Sequence, residues 1–294
     1  MRIVFIGCVE SSEIFLKTLI EEGAEIVGII TKNQSMQNAD FVDLASIARE
    51  RKIPYQYVNN INDKESIVFI KKMKPDIGFC LGWSQLIKRE VLEMFPKGVI
   101  GFHPAKLPQN RGRHPLIWAL VLGLEQTAST LFLMNEEADA GDILSQEIIE
   151  IDYHDNARTL YDKVMQVASK QVIAIWKALC NDKVSVIESE NVRGNAWRKR
   201  SRNDGRIDWR MSSRSIYNLV RGLSKPYVGA HFEYEHREYK VWKVSECFEK
   251  GYENIEAGKI LWVKENGMFA VKAGEGIIEV IEYDDFLPIE GMYL

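Results

Sequence analysis

The chain has 294 residues, 46% of them hydrophobic and 27% charged, an ordinary globular composition that is too long for one small core and has room for two domains. A net charge of −4 supplies no global attraction to a polyanion and argues against a large nucleic-acid footprint. Cys8, Cys80, Cys180 and Cys247 are far apart, with no CxxC pair and no Cys/His cluster, so neither a zinc site nor a disulfide framework is expected. The opening apolar run is too short for a secretory leader and no stretch approaches membrane-spanning length, so a soluble protein of the reducing cytoplasm is expected, with no membrane partner and no metal.

Arg2 to Gly7 is a continuous, largely β-branched apolar run, the pattern of a parallel strand buried on both faces. Ser11 or Ser12 is placed to cap the helix that follows through Leu16, Leu19 and Ile20, and Glu25 to Ile30 closes a βαβ unit. The turn after the first strand reads GCVESS and lacks GxGxxG, which weakens any dinucleotide reading. Asn33 to Asp40 is a polar loop, Val42 to Glu50 is helical in pattern, Pro54 to Val58 is short and extended, and Lys64 to Met73 is an amphipathic helix. Asp76 to Gly82 is a third buried strand, ending at Trp83, whose indole is either core or a platform for a flat ligand.

The run from Gly98 to Gln146 reads as a short buried strand, a polar loop carrying His103, a helix opened by Pro115, a second strand, and a loop carrying Asp139. Ile143 to Ile151 is strand-like, and Asp155 is placed to cap a long helix whose Leu160, Val164, Val167, Ile175 and Leu179 recur at helical spacing. From Asn191 to Arg214 the chain turns polar and Gly-punctuated, with eight basic residues against two acidic ones. That segment is either a solvated linker or a strip that meets phosphates. A short helix, Ser213 to Gly222, then leads into five Gly-separated β-like runs between Gly229 and Ile281.

Alternating βα units followed by short strands give an α/β fold class: a Rossmann-like, mostly parallel sheet over residues 1–190, a basic linker over 191–204, and a small β-rich, OB-like barrel over 205–294. Ligands of open parallel sheets bind beyond the carboxyl ends of the strands, where Trp83, His103 and Asp139 all fall. A neutral imidazole moves protons near neutral pH, and a carboxylate orients it and stabilises its cation. On spacing alone, a His and an Asp this far apart in sequence are read in the first place as a hydrogen-bonded structural histidine and a turn aspartate.

FHPAKLPQNRGRHPLIWALVLGLEQTASTLFLMNEEADAGDIL resembles the signature block of the folate-dependent formyltransferase family, with His103, Leu107, Pro108, Arg111, Gly112, Pro115, Trp118, Gly123, Met134, Asp139 and Gly141 in register. RKRSRNDGRIDW with SIYNLVRGLSKPYVGAHF is similar to the start of the C-terminal domain shared by methionyl-tRNA formyltransferases and sugar-nucleotide N-formyltransferases, so the resemblance covers nearly the whole chain. It implies an N-formyltransferase with 10-formyltetrahydrofolate as formyl donor. It places Gly82, Trp83, Ser84, Gln85, Leu86 and Ile87 with Ala138 and Asp139 around the folate, and moves Trp83 from core to pocket. In the family an Asn, a His and an Asp serve an amine that attacks the formyl carbon. His103 would polarise the formyl oxygen or relay the amine proton, and Asp139 would orient His103.

The position of the family Asn is Gly101 here, and the usual Ser is Ala105. Losing one oxyanion donor costs about 3–4 kcal/mol of transition-state stabilisation. By residue type Gln85, Asn110 or a backbone N–H at the glycine are substitutes, and a slowed enzyme, a formate-releasing hydrolase or a folate-binding module without turnover are the alternatives. For the acceptor, the acidic balance, the short Asn33–Asp40 loop, and the RGRHPLIW and EADAG segments favour a sugar nucleotide. The basic strip favours methionyl-tRNA, whose affinity rests on phosphates, but a few arginines also suffice for a nucleoside diphosphate. The sugar nucleotide is the favoured partner, held by Arg111, Gly112, Arg113, Arg198 and Arg200, and a homodimer is left open.

Overall fold

The computed structural model describes residues 1–35, 40–188 and 194–294. Residues 191–193 of the expected linker and the middle of the Asn33–Asp40 loop lie outside the described residues.

The first half alternates strand and helix: β1 (Arg2–Ile6), α1 (Glu10–Glu21), β2 (Glu25–Thr31), α2 (Ala45–Glu50), β3 (Tyr55–Tyr57), α3 (Lys64–Met73), β4 (Ile77–Cys80), α4 (Arg89–Leu92) and β5 (Val99–His103). Then come β6 (Arg111–Gly112), α5 (Pro115–Val121), β7 (Gln126–Leu133), β8 (Ile143–Glu150), α6 (Ala157–Cys180) and β9 (Ala196–Trp197). The remainder is α7 (Ser213–Leu223), β10 (Ala230–Tyr234), β11 (Arg237–Cys247), β12 (Ile260–Val263), β13 (Phe269–Lys272) and β14 (Ile277–Tyr283), with one turn of 3-10 helix at Arg202–Gly205.

Seven strands form one sheet in the order β3-β2-β1-β4-β5-β7-β8. β3 through β5 run parallel, and β7 pairs antiparallel with β5, so the sheet is mostly parallel, as its continuous apolar runs predict. β1 and β4 are almost wholly sealed, which is why neither shows a polar face in sequence. The helix after β1 starts one turn earlier than a serine cap would place it: Val9 is the capping position, and Ser12, one turn inside, accepts the Cys8 and Val9 N–H groups and donates to the Leu81 carbonyl. Asn156, rather than Asp155, closes the start of α6, its Oδ1 accepting the N–H groups of Arg158 and Thr159.

The C-terminal strands form a five-stranded antiparallel sheet in the order β10-β11-β14-β13-β12, the β-rich domain that the Gly-separated runs predict. Phe232, Val241, Phe269, Ile278 and Val280 build its core, with Ile216, Leu219 and Val220 of α7.

The chain divides into two compact units that are not continuous in sequence. One comprises 1–115, 127–149 and 162–197, and the other 116–126, 150–161 and 198–294. The change of unit at residue 198 falls inside the expected 191–204 linker, yet two earlier segments belong with the C-terminal sheet. Ile117 of α5 is part of that unit's core, Tyr153 stacks on Tyr217 with ring centroids 4.8 Å apart, and Arg221 holds backbone carbonyls of 152–155. Packing recruits these segments to the second unit, and composition along the chain carries no trace of it.

Candidate functional site

Val99, Gly101 and His103 share one face of β5, because side chains alternate along a strand. His103 ends that strand and is 4% exposed. Its Nε2 lies 2.8 Å from the Asn110 carbonyl, which can only accept, so Nε2 carries a proton and donates it there. Nδ1 then faces Asp139 Oδ2 at 3.5 Å, a separation that becomes an ion pair when the ring takes a second proton. The expected His–Asp pair is therefore brought together across the loops that follow β5 and β7.

Those loops are held by an unusual density of left-handed backbone. Asn110, Gly112, His114 and Asp139 all have positive φ, at 61°, 100°, 55° and 53°. At Gly112 a side chain would meet the Trp197 carbonyl at 2.3 Å, so only glycine lets this strand approach its partner. The Gly112 N–H donates to Asp139 Oδ2 at 2.9 Å, fixing the same oxygen that faces His103.

β6 and β9, two residues each, pair in parallel. Asn195 accepts the Asn110 N–H on its side-chain oxygen and the Arg111 N–H on its carbonyl, and Trp197 accepts the Arg113 N–H. On the other side, Thr127, Thr130 and Gln146 donate to the carbonyls of Pro104, Ala105 and Leu107. None of these holders was visible in sequence, because each is a long-range partner of a backbone atom and carries no local motif.

Gly101 sits in a strand paired on both sides, with Cys80 on one and Phe132 on the other. A side chain there would meet Met134 Cγ and Phe132 Cζ, each at 2.8 Å, so the space beside the glycine is filled. Of the substitute donors, Gln85 has both ends of its amide engaged: Nε2 donates to the Asn59 carbonyl and Oε1 accepts the Ile61 N–H. Asn110 has its backbone N–H and carbonyl committed, while its carboxamide bonds nothing among the described residues.

The 82–87 segment divides by exposure. Trp83 is half-buried beneath the Lys32 ammonium, 5.0 Å from the ring centroid, and its Nε1 is buried with no hydrogen-bond partner among the described residues. The Ser84 carbonyl accepts from Arg113 at 2.9 Å, which ties the segment to the loop after β6. Leu86 is exposed and Ile87 is sealed in the core with Val91 and Val99, so the two point to different surroundings. Gly82, with φ of 79°, turns the chain beside Ser12, and Ala138 is exposed next to Asp139. Arg111 has a buried Nε without a partner among the described residues.

Arg198 and Arg200 belong to the C-terminal unit. Arg198 is paired bidentately with Asp204, which holds that carboxyl well below the usual carboxylate range. Arg200 lies over the Trp118 ring at 4.7 Å, and burial pushes its pKa down. Among the described residues no group of three His, Cys, Asp or Glu side chains could hold a metal ion, and no helix is long and apolar enough to cross a membrane.

A buried imidazole paired with a carboxylate at the strand ends of a mostly parallel sheet, followed by an antiparallel domain, is an arrangement suited to proton transfer in group-transfer chemistry. Residues 1–175 match the Formyl transferase family, and residues 199–285 match Formyl transferase, C-terminal domain. The chain belongs to the formyl transferase family, a family of one-carbon group transferases. It is 30% identical over 251 residues to the bifunctional polymyxin resistance protein ArnA of Wigglesworthia glossinidia brevipalpis, covering 85% of this chain and 38% of that relative's length. To the methionyl-tRNA formyltransferase of Caldanaerobacter subterraneus subsp. tengcongensis it is 28% identical over 287 residues, covering 96% of this chain and 91% of the relative. The crystal structure of WlaRD, a sugar 3N-formyl transferase in the presence of dTDP and 5-N-formyl-THF, superposes with a TM-score of 0.72 at 19% identity, over 98% of this chain and 99% of that one, and shares its fold.

Proposed function

We propose that the protein transfers a formyl group from 10-formyltetrahydrofolate to the primary amine of a nucleotide-linked amino sugar. The observation that carries this reading is the His103–Asp139 pair, with Nδ1 and Oδ2 3.5 Å apart and both ends held by backbone. The amine nitrogen bonds to the formyl carbon, the carbonyl oxygen takes up the electron pair, and collapse breaks the bond to the folate nitrogen, which takes the proton the amine gives up. His103 relays that proton, Asp139 stabilises the imidazolium, and the Asn110 carboxamide donates to the oxyanion in place of the family's Asn. His103 Nε2 becomes a base once the Asn110 carbonyl turns away from it and the ring proton passes from Nε2 to Nδ1, where it is donated to Asp139; the freed Nε2 then takes the amine proton, and the same motion swings Asn110.

For the donor, the folate pocket is assigned to Gly82–Ile87 and to Ala138–Asp139, with Trp83 Nε1, which has no partner among the described residues, as a hydrogen-bond donor toward the ligand. Ile87 acts through packing behind that wall. For the acceptor, Arg111, Gly112 and Arg113 are assigned to the diphosphate, Arg111 having a buried Nε without a partner among the described residues. A sugar nucleotide is favoured over tRNA by the net charge of −4 and the short loop at 33–40. The WlaRD structure, of a sugar 3N-formyl transferase in the presence of dTDP, supports the same choice. The likeness to methionyl-tRNA formyltransferase over nearly its full length keeps tRNA as the competing acceptor.

The test is an acceptor screen with the folate donor, read by mass for a formyl gain, with salt dependence measured on any acceptor found. Formylation of an amino-sugar nucleotide with a shallow salt slope supports the proposal, and a steep slope with formylation of methionyl-tRNA alone overturns it. The filled space beside Gly101 favours a second reading, a folate-binding module without turnover. Folate binding with no formylated product, and no formate released, would establish that reading instead.

A further inference from the structure

The C-terminal unit contains a cavity of about 760 Å³ that the reaction above does not use. Its lining comes from the chain entering α6, from α7, and from β11 with β14. Every lining residue belongs to the one unit.

At its wall is Arg221 of α7, 9% exposed. Nε of Arg221 donates to Asn218 Oδ1, and Nη1 donates to the carbonyls of Asp152, Tyr153 and Asp155. These bonds fix the plane of the guanidinium and use no carboxylate. Asp155, whose charge acts on the guanidinium, makes hydrogen bonds with the Asp152 N–H and the Thr159 hydroxyl instead of with Arg221. The remaining nitrogen, Nη2, has no partner among the described residues. A buried cation with no bonded counter-ion is costly unless something neutralises it. Burial holds the Arg221 pKa below the usual guanidinium value, and the neighbouring Arg214 adds to that pressure.

The rest of the wall fits the same ligand. Lys225 and Lys243, both exposed, line the cavity. Two acids also line it. Glu246 is committed to Tyr153, Ser213 and Arg214, and Glu282 is exposed. The flat surfaces are Trp242, fixed by its Nε1 bond to Asp284 with Lys225 5.3 Å from the ring centroid, and the Tyr153–Tyr217 stack. A single phosphate would leave most of this volume empty, and ligand sites of this size take molecules with a ring.

We propose that this cavity is a second ligand site that binds a nucleotide, its phosphates on Arg221 Nη2, Lys225 and Lys243 and its base against the aromatic wall. The proposal stands apart from the formyl-transfer reading and does not need it. The probes are inorganic pyrophosphate and ADP, titrated by calorimetry at low salt into the whole protein. The variants are the exposed pair Lys225→Glu/Lys243→Glu, and separately His103→Gln in the other unit.

The expected result is that both probes bind, that ADP binds at least threefold tighter than pyrophosphate, that the double charge reversal weakens both at least tenfold, and that His103→Gln leaves both unchanged. Arg221→Lys adds a second reading if it folds, since it keeps charge but loses the fixed Nη2. No binding of either probe in the millimolar range, or equal binding to the double variant, would overturn the proposal. ADP binding no tighter than pyrophosphate would overturn its aromatic part.

Discussion

The two polar centres of this molecule are built on opposite plans. Around His103 every ring nitrogen is already spoken for: Nε2 by the Asn110 carbonyl and Nδ1 by Asp139. Around Arg221 the guanidinium is fixed on two nitrogens and open on the third. In the proposed reaction the first centre is closed at rest and must rearrange, so that chemistry depends on backbone that can turn. The second is held in place, and in the proposed ligand site its contribution is recognition. The left-handed residues fall on the first side of this contrast, at Asn110, Gly112 and Asp139, residue types that accept positive φ and so allow the tight turns that bring the loops together.

The largest effect should come from removing the relay. His103→Gln is expected to lower kcat by about a hundredfold to ten-thousandfold, the usual contribution of a positioned acid or base, with the melting temperature little changed. A rate within tenfold of wild type would break the contrast at its root. Restoring the family residue should be smaller and opposite to intuition. Gly101→Asn drives a side chain into Met134 and Phe132, so a loss of about 1–3 kcal/mol in stability is expected from overpacking, without a gain in kcat. A stable, faster Gly101→Asn enzyme would show that the space is elastic and that Asn110 is not the donor.

The smallest effect concerns an ion-pair cluster elsewhere in the unit that carries Arg221. Glu238 is drawn down to about 2, chiefly by its hydrogen bond to Lys240, with Arg202 and His231 also facing it. A carboxyl lowered on folding stabilises the protein above its unfolded value and loses that contribution as pH falls toward the folded one. The melting-temperature gap between wild type and Glu238→Gln should therefore be full at pH 7 and shrink between about pH 5 and 2, as thermal scans would show.

Much of the fold was legible because burial leaves a simple trace. α3 runs over Lys64–Met73 as its periodicity predicts, and β1, β2 and β4 follow their apolar runs to within a residue or two. The His103–Asp139 pair was legible only through resemblance, since the spacing between them follows from a helix and a strand that carry no chemistry. What the residues did not show was everything that depends on a distant backbone. The choice of Asn156 over its neighbour as a cap, the β6–β9 pairing, and the filling of the Gly101 space from across an antiparallel pair are set by tertiary contacts. A glycine in sequence reads as a missing side chain, whereas in the sheet it is where Phe132 and Met134 sit.

The β6–β9 pairing also sets an order of events in time. A ribosome releases β5, its loop and β6 long before Gly194 to Trp197 emerge, and until then Asn110 and Gly112 lack the strand that fixes them. The sheet can condense early from neighbouring strands, while the loop beside His103 waits for a contact of long sequence separation. A truncated chain ending at residue 190 would thus leave the loop beside His103 unset, and would also leave residues 116–126 and 150–161 without the C-terminal core to which they belong.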